Sequence, residues 1–226
     1  SAVFYVPGSA QAKRENHGIL IIYTTIDGKK SSHVKMLDLL AGHFTSHVTV
    51  KKDVDVTSSD LEGKERVIYF GQTKRKLSKE LVSLISGFQK QVVAIGFNAG
   101  QISQFSGLSL TRKENVYQVR SSTEKNEASL ETGLDVLDVS GLKGKALYTH
   151  KSNDGTSHPF IWKTEQSNVY IGLTNLQNNY LFVAKRVREA FGEPAGSTLL
   201  YLRLEDISPM SDEKLLLEAG TYLHKR

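Results

Sequence analysis

The sequence predicts an α/β fold, a three-layer sandwich in which a mostly parallel β-sheet carries a β-hairpin-rich insert. Segments such as Gly18–Tyr23 and Arg66–Phe70 are apolar at consecutive positions, which is typical of strands buried on both faces. Amphipathic helical segments alternate with these strands, and this order indicates crossover connections and helices on both faces of a parallel sheet. Between about residues 107 and 165, short stretches of alternating polarity are separated by Gly, Ser, Asn and Asp, which indicates antiparallel hairpins.

Composition limits the chemistry available to the chain. Its 226 residues are about one and a half times the usual ~150 residues of a domain, which allows one domain and an incomplete second piece. Cysteine is absent, so disulfides, thiolate catalysis and sulfur-ligated metal sites are excluded. The net charge of +5 comes from 29 Lys and Arg against 24 Asp and Glu spread along the chain. This distribution suits an anionic surface such as a cell wall and does not predict a nucleic-acid partner.

A lead-in segment of residues 1–16 is predicted to precede the α/β domain, which covers residues 17–195. The first strand of the domain runs into a polar loop, and a helix follows from Val34 to Phe44. Apolar residues recur in this helix at three- and four-residue spacing, and Ser31 or Ser32 can cap its first turn. No purely apolar stretch approaches the ~20 residues that span a bilayer, so no membrane span is predicted.

The strand and helix pattern then repeats along the chain. His47–Val50 is a second predicted strand, and Arg66–Phe70 is a third. An amphipathic helix over Leu77–Gln89 leads to the strand Val92–Ile95. This repetition predicts that all these strands are parallel.

After the hairpin-rich insert of residues 107–165, the pattern returns with the strand Val169–Leu173 and a helix over Leu176–Phe191. The last segment, residues 196–226, is predicted to be the truncated start of a second domain. It contains the strand Thr198–Leu204 and a capped helix after Ser211.

An acidic pair, Glu205 and Asp206, follows the last predicted strand. The carboxyl end of a buried strand is where α/β barrels place catalytic groups and metal ligands. Repulsion between adjacent carboxylates would separate their pKa values, which suits a base and a metal ligand that share a site. The alternative is that both side chains are solvated and cap the following turn.

The segment Arg203–Pro209, followed by Ser211–Leu215, resembles the first motif of an uncharacterised family of Gram-positive proteins related to the NodB-type polysaccharide deacetylases. In that superfamily a strand-end Asp-Asp pair supplies the general base and a metal ligand. The resemblance implies that Glu205 takes the catalytic base position, with Glu in place of Asp, and that Asp206 takes the metal-ligand position.

The superfamily carries two metal-binding histidines in a His-x-x-x-His motif downstream of the acidic pair, and only His224 follows Asp206 here. The resemblance therefore implies an incomplete site, with no cofactor in this chain and a divalent metal in the full-length parent. The preceding region is also similar to the segment that such proteins carry before their deacetylase domain, at Ile68–Gly71, Leu77 and Ile95–Asn98.

The segment Gly96–Gly100 follows a predicted strand, at the place of a nucleophile elbow of the G-x-S-x-G type. Its central residue is Asn98, and an amide is not a nucleophile, so an elbow here would be inactive. The layout resembles the class I glutamine amidotransferase-like folds, whose later strand and helix are similar to Val169–Arg188. Asn98 can donate hydrogen bonds to a ligand at the carboxyl edge of the sheet. The alternative is a glycine-rich turn with a left-handed Asn.

The loop Thr24–Gly28 loosely resembles a flavodoxin-type phosphate loop, because hydroxyls and amides at a helix N-terminus can bind an anion. Thr24 and Thr25 are therefore candidate ligand-binding residues, with an ordinary polar loop as the alternative. His43 and His47 have the spacing that can present two rings to one metal on a helix. Gly42 indicates that the helix frays there, which favours surface histidines.

These features together predict a non-catalytic accessory module that binds a ligand or glycan. By resemblance, the parent is a cell-wall or extracellular polysaccharide deacetylase-like protein, and the expected partners are a polysaccharide or cell-wall glycan and the downstream deacetylase-like domain. One alternative is a hydrolase or amidotransferase-like enzyme with its groups at the carboxyl ends of the strands. A flavin- or nucleotide-binding module is a further alternative, supported by the Thr24 loop alone.

Overall fold

A computed structural model describes residues 18–122, 127–177 and 180–190. The predicted lead-in segment, the predicted second domain and its acidic pair, Glu205 and Asp206, lie outside these residues. In chain order the strands are β1 Gly18–Thr24, β2 Val48–Lys52, β3 Lys64–Gly71, β4 Gln91–Gly96, β5 Ser109–Ser121, β6 Glu127–Ser140, β7 Gly144–Lys151, β8 Ser157–Thr164 and β9 Val169–Ile171. The α-helices are α1 Ser32–Gly42, α2 Lys79–Ser86 and α3 Tyr180–Ala190.

The described strands form one nine-stranded sheet in the order β2-β1-β3-β4-β9-β8-β7-β5-β6. The first five strands in this order are parallel, and the remaining pairs are antiparallel. With β9 beside β4, the parallel half has the 2-1-3-4-5 order of flavodoxin-like folds. The predicted α/β fold with a β-hairpin-rich insert is confirmed.

The sheet lies between two apolar layers because consecutive residues of its parallel strands point to opposite faces. On β1, Ile19 and Ile21 pack with apolar residues of α1 and α3, while Leu20 and Ile22 pack with apolar residues of α2. All four side chains are buried. This arrangement explains why the strand is apolar at consecutive positions, and it gives the three layers that the sequence predicts.

The helix caps follow the predicted chemistry, and helices α2 and α3 differ in extent from the prediction. Ser31 caps α1 by accepting a hydrogen bond from the amide of Val34, as expected of a serine at that position. The second helix is shorter than the predicted Leu77–Gln89, since Ser78 caps its first turn and Gly87 ends it. Helix α3 begins at Tyr180 and not at the predicted Leu176. No helix within the described ranges is long and apolar enough to cross a membrane.

Two antiparallel strands, β6 and β8, form hydrogen bonds to the backbone just after β9. Gly172 donates to the carbonyl of Phe160 at 2.7 Å and accepts from the amide of Leu137 at 2.8 Å. A Cβ at Gly172 would overlap both neighbouring backbones, so glycine permits the close approach. The chain leaves β4 at this point, which is why β9 ends at Ile171 and not at the predicted Leu173.

Two glycines allow β3 and β4 to approach closely at their carboxyl ends. The amide of Phe97 donates to the carbonyl of Gly71 at 2.8 Å. A Cβ at Gly71 would overlap the carbonyl of Phe97, and one at Gly96 would overlap the carbonyl of Gly71. The two strand ends, and the residues that follow them, are thereby held together.

We expect Gly71→Ala to lower the free energy of unfolding by about 3 kcal/mol, because the added methyl meets backbone atoms that cannot move aside cheaply. Urea denaturation at one temperature measures the difference. Gly42→Ala is the matched control, since its added Cβ has no atom within 4 Å. A Gly71→Ala variant as stable as the Gly42→Ala variant would contradict the close packing of these strand ends.

Candidate functional site

The candidate site lies at the carboxyl ends of β1 and β3. From β1 the chain proceeds to β2 on one side and then crosses to β3 on the other. In open α/β sheets, ligands bind in the crevice outside the carboxyl ends of the strands, at the point where the strand order reverses. The loops after β1, β2, β3 and β4 meet at this edge.

The phenol of Tyr69 is at the centre of a hydrogen-bond network there. It lies 3.1 Å from the hydroxyl of Thr24 and accepts a hydrogen bond from the side-chain amide of Asn98, also at 3.1 Å. The hydroxyl of Thr24 in turn donates to the carboxylate of Asp53 at 3.1 Å. Because that hydroxyl has one proton, Tyr69 must donate to Thr24. Burial raises the pKa of Tyr69, which keeps the phenol protonated for this role.

The network ends at a buried ion pair between Asp53 and Arg75. Asp53 follows β2 directly, and its side chain is 2% exposed. The guanidinium of Arg75 donates to the same oxygen, Oδ2, that accepts from Thr24. The other oxygen, Oδ1, is buried without a partner among the described residues. A buried carboxylate is tolerated because it is paired with an opposite charge and hydrogen-bonded.

Two side-chain amides hold the backbone of the loop that carries Arg75. Asn98 accepts from the amide of Arg75 at 2.9 Å and donates to the carbonyl of Thr73 at 2.8 Å. Gln101 donates to the carbonyl of Arg75 at 2.8 Å and accepts from the amide of Leu77 at 2.9 Å. The loop is thus fixed to the segment after β4 on both sides of Arg75.

The structure gives Asn98 the left-handed backbone conformation that the sequence predicts as an alternative, with φ at 71°. Asn adopts this region more readily than most residues. Both amide hydrogens of its side chain are used, one by Tyr69 and one by Thr73. Asn98 therefore has a positioning role, and direct contact with a ligand stays a prediction.

Of the three predicted ligand-binding residues, the structure brings Thr24 and Asn98 together at Tyr69, and Thr25 lies outside the network. The hydroxyl of Thr25 donates to the carbonyl of Lys29 at 2.8 Å. The amide of Lys29 donates to the carboxylate of Asp27 at 3.0 Å. A phosphate loop leaves backbone N–H groups of this kind for its ligand, but here the carboxylate of Asp27 accepts from the N–H of Lys29. The loop therefore gives the flavin or nucleotide alternative no support.

Sequence reasoning missed Asp53, Tyr69, Arg75 and Gln101. Asp53 and Arg75 are charged loop residues, which are usually solvated, and Tyr69 belongs to an apolar strand pattern. One signal was available: Asp53 and Arg75 each lie just after a predicted parallel strand, so their loops share the edge at which Thr24 ends β1.

A second polar cluster joins the antiparallel strands β6, β7 and β8. His150 is buried and lies 2.6 Å from the carboxylate of Asp138, and its ring stacks on that of His158. Ser152 lies 3.1 Å from Nε2 of His158, but it also donates to the carboxylate of Asp154. That hydrogen bond, together with those from Thr156, lowers the pKa of Asp154 to about 2, so an ionised carboxylate competes for the serine proton. The cluster therefore does not have the proton arrangement of a serine-hydrolase triad.

The described ranges contain no group of three or more His, Asp or Glu side chains that could hold a metal ion. Helix α1 ends at Gly42, so His43 and His47 do not present their rings from one helix. The predicted metal ligand Asp206 and the predicted base Glu205 lie outside the described residues.

Comparison with known proteins identifies one close relative of unknown activity. The chain is 74% identical over all of its 226 residues to the uncharacterized protein YdaL of Bacillus subtilis (strain 168), and it spans 40% of the length of that relative. No protein-family model matches the chain.

The chain is also similar to two solved structures at 13% identity. One is a β-galactosidase from the psychrophilic Marinomonas ef1, with a TM-score of 0.48 over 80% of this chain and 31% of that chain. The other is a glutamine amidotransferase from Thermotoga maritima, with a TM-score of 0.47 over 93% of this chain and 92% of that chain. Likenesses at this level carry no information about function.

We expect Arg75→Ala to lower the free energy of unfolding by about 3 kcal/mol, because it leaves the buried carboxylate of Asp53 without its counter-charge. Asp53→Asn in the Arg75→Ala background should restore part of this loss, since a neutral amide is cheaper to bury than an unpaired carboxylate. Urea denaturation of the two single variants and the double variant gives the coupling energy. If the changes in the free energy of unfolding caused by the two substitutions simply add, Asp53 and Arg75 do not interact, and the ion pair at the end of the network is contradicted.

Proposed function

We propose that this chain is a non-catalytic accessory module that binds a glycan at the carboxyl edge of its parallel sheet. The observation that carries the proposal is the state of Asn98. By the resemblance of Gly96–Gly100 to a nucleophile elbow, Asn98 stands where the nucleophile would, and it is an amide whose hydrogen bonds fix the neighbouring loop. An amide side chain supplies no nucleophile for a hydrolase or amidotransferase reaction, and here it holds the loop that carries Arg75 in place.

The chemistry of the edge fits a sugar. Sugar hydroxyls bind charged and polar side chains of fixed orientation, and Arg75, with 37% of its side chain exposed, is such a group. The loops after β1 and β2 also present two exposed apolar side chains, Ile26 at 84% and Val54 at 64%. The C–H face of a pyranose ring can pack against apolar groups of this kind.

We further propose that the module belongs to a cell-wall or extracellular protein related to the polysaccharide deacetylases. The support is the resemblance of Arg203–Pro209 to the first deacetylase motif and the fact that the chain spans 40% of its relative. In this proposal the module positions a glycan for a downstream catalytic domain. Glu205 and Asp206 would supply the base and a ligand of the divalent metal only together with residues of that domain.

Binding of N-acetylglucosamine oligosaccharides, measured by isothermal titration calorimetry, tests the module. We expect binding by the native chain and a loss of about tenfold or more in Asn98→Gly, because the substitution keeps the left-handed backbone and removes the clamp on the Arg75 loop. Asn115→Gly is the matched control, since Asn115 is also left-handed, with φ at 57°, and exposed outside the network.

The same preparations are assayed for release of acetate from the oligosaccharide. The proposal expects no release by this chain and release once the downstream region of the longer protein is restored. Deacetylation by this chain alone, or equal binding by the Asn98→Gly and Asn115→Gly variants, would contradict it.

A further inference from the structure

We propose that the site recognises an anionic group, a carboxylate or a phosphate, through the guanidinium of Arg75. The inference rests on the proposed function and names its ligand class as an acidic glycan. It draws on three independent features of the described residues: a fixed backbone, a fixed guanidinium and an excess of positive charge in the surrounding loops.

The first feature is the backbone of Arg75, which is held by side chains on both sides. Its amide donates to Asn98 at 2.9 Å, and its carbonyl accepts from Gln101 at 2.8 Å. The same two side chains also bind Thr73 and Leu77. Four hydrogen bonds hold the segment 73–77, of which residues 74–76 are exposed. They reduce the entropy cost of ordering this loop when a ligand binds.

The second feature is the guanidinium, which Asp53 fixes from the buried side. The Asp53 carboxylate accepts from one terminal nitrogen of Arg75. The guanidinium carries five N–H donors in a planar fork, and the structure shows no other partner for it within the described ranges. The side chain is 37% exposed, and the donors that Asp53 does not use suit the two oxygens of a carboxylate or phosphate.

The third feature is the charge of the surrounding loops. Segments 25–31, 52–57 and 72–77, at the carboxyl ends of β1, β2 and β3, carry six basic and three acidic residues, a net charge of +3. The basic residues are Lys29, Lys30, Lys52, Lys74, Arg75 and Lys76, and the acidic residues are Asp27, Asp53 and Asp55. Because Asp53 and Arg75 offset each other, the net positive charge comes from the lysines, and it favours anions that approach the site.

These features distinguish recognition from a purely structural role. An arginine that serves only to neutralise Asp53 would need neither a backbone held by side chains nor a partly exposed side chain. A lysine at this position would keep the charge and the pairing with Asp53, but it would lose the fork that binds two oxygens at once. Arg75→Lys is therefore the variant that separates the two roles.

The experiment compares acidic ligands with a neutral one. Galacturonate oligosaccharides and their methyl esters share one sugar backbone and differ in charge, and a glycerol phosphate oligomer, with a backbone of its own, offers phosphate in place of carboxylate. Affinities are measured by calorimetry at low and at physiological salt. We expect at least one acidic ligand to bind about tenfold or more tightly than the neutral ester, with an affinity that falls as salt rises. The preferred acidic ligand identifies which anion the site takes.

Arg75→Lys should reduce this affinity by about tenfold while its thermal midpoint stays close to that of the native chain. Arg112→Lys is the control, because Arg112 is an exposed arginine in an ion pair on β5, outside the candidate site. If neither acidic ligand binds more tightly than the neutral ester, or if the two substitutions have equal effects, the inference is overturned, and the proposed function stays intact if the neutral sugars bind. Binding of no glycan, acidic or neutral, would overturn both.

Discussion

The buried carboxylate of Asp53 is the constraint on which the carboxyl edge of this protein depends. A charge that is almost fully removed from water must be paired, and Arg75 and Thr24 supply the charge and the hydrogen bond. Thr24 can donate to Asp53 because Tyr69 donates to Thr24 in turn. The ends of β1, β2 and β3 are thereby joined by one chain of oriented hydrogen bonds, and Asn98 adds the end of β4.

Asn98 connects these buried hydrogen bonds to the exposed loop that carries Arg75. Its position after Gly96, next to the closely packed Gly71, places the side chain between Tyr69 and the Arg75 loop. The same amide therefore binds the phenol in the interior and the backbone at the edge. Asn98 thereby connects the interior of the protein to the loop that presents Arg75.

The parallel half of the fold could be predicted from the sequence because β1, β3, β4 and β9 are largely buried and apolar at consecutive positions, as Gly18–Tyr23 shows. The edge strand β2 is partly exposed along its whole length. The hydrogen bonds from the hairpins back to Gly172 could not be predicted, since a close backbone approach leaves no periodic signal. Thr24 and Asn98 could be chosen because they end strands or follow them. Asp53 and Arg75 could not be paired, because a loop charge reveals its burial only when the neighbouring loops are in place.

Amide hydrogen exchange of Arg75 measures whether Asn98 fixes the backbone of Arg75. We expect the Arg75 and Leu77 amides to exchange slowly in the native chain, because Asn98 and Gln101 accept hydrogen bonds from them. In Asn98→Gly the Arg75 amide should exchange about tenfold faster or more, while Leu77 stays protected by Gln101. If the Arg75 amide exchanges at the rate of an unstructured peptide in the native chain, or if the substitution leaves its rate unchanged, Asn98 does not fix this backbone.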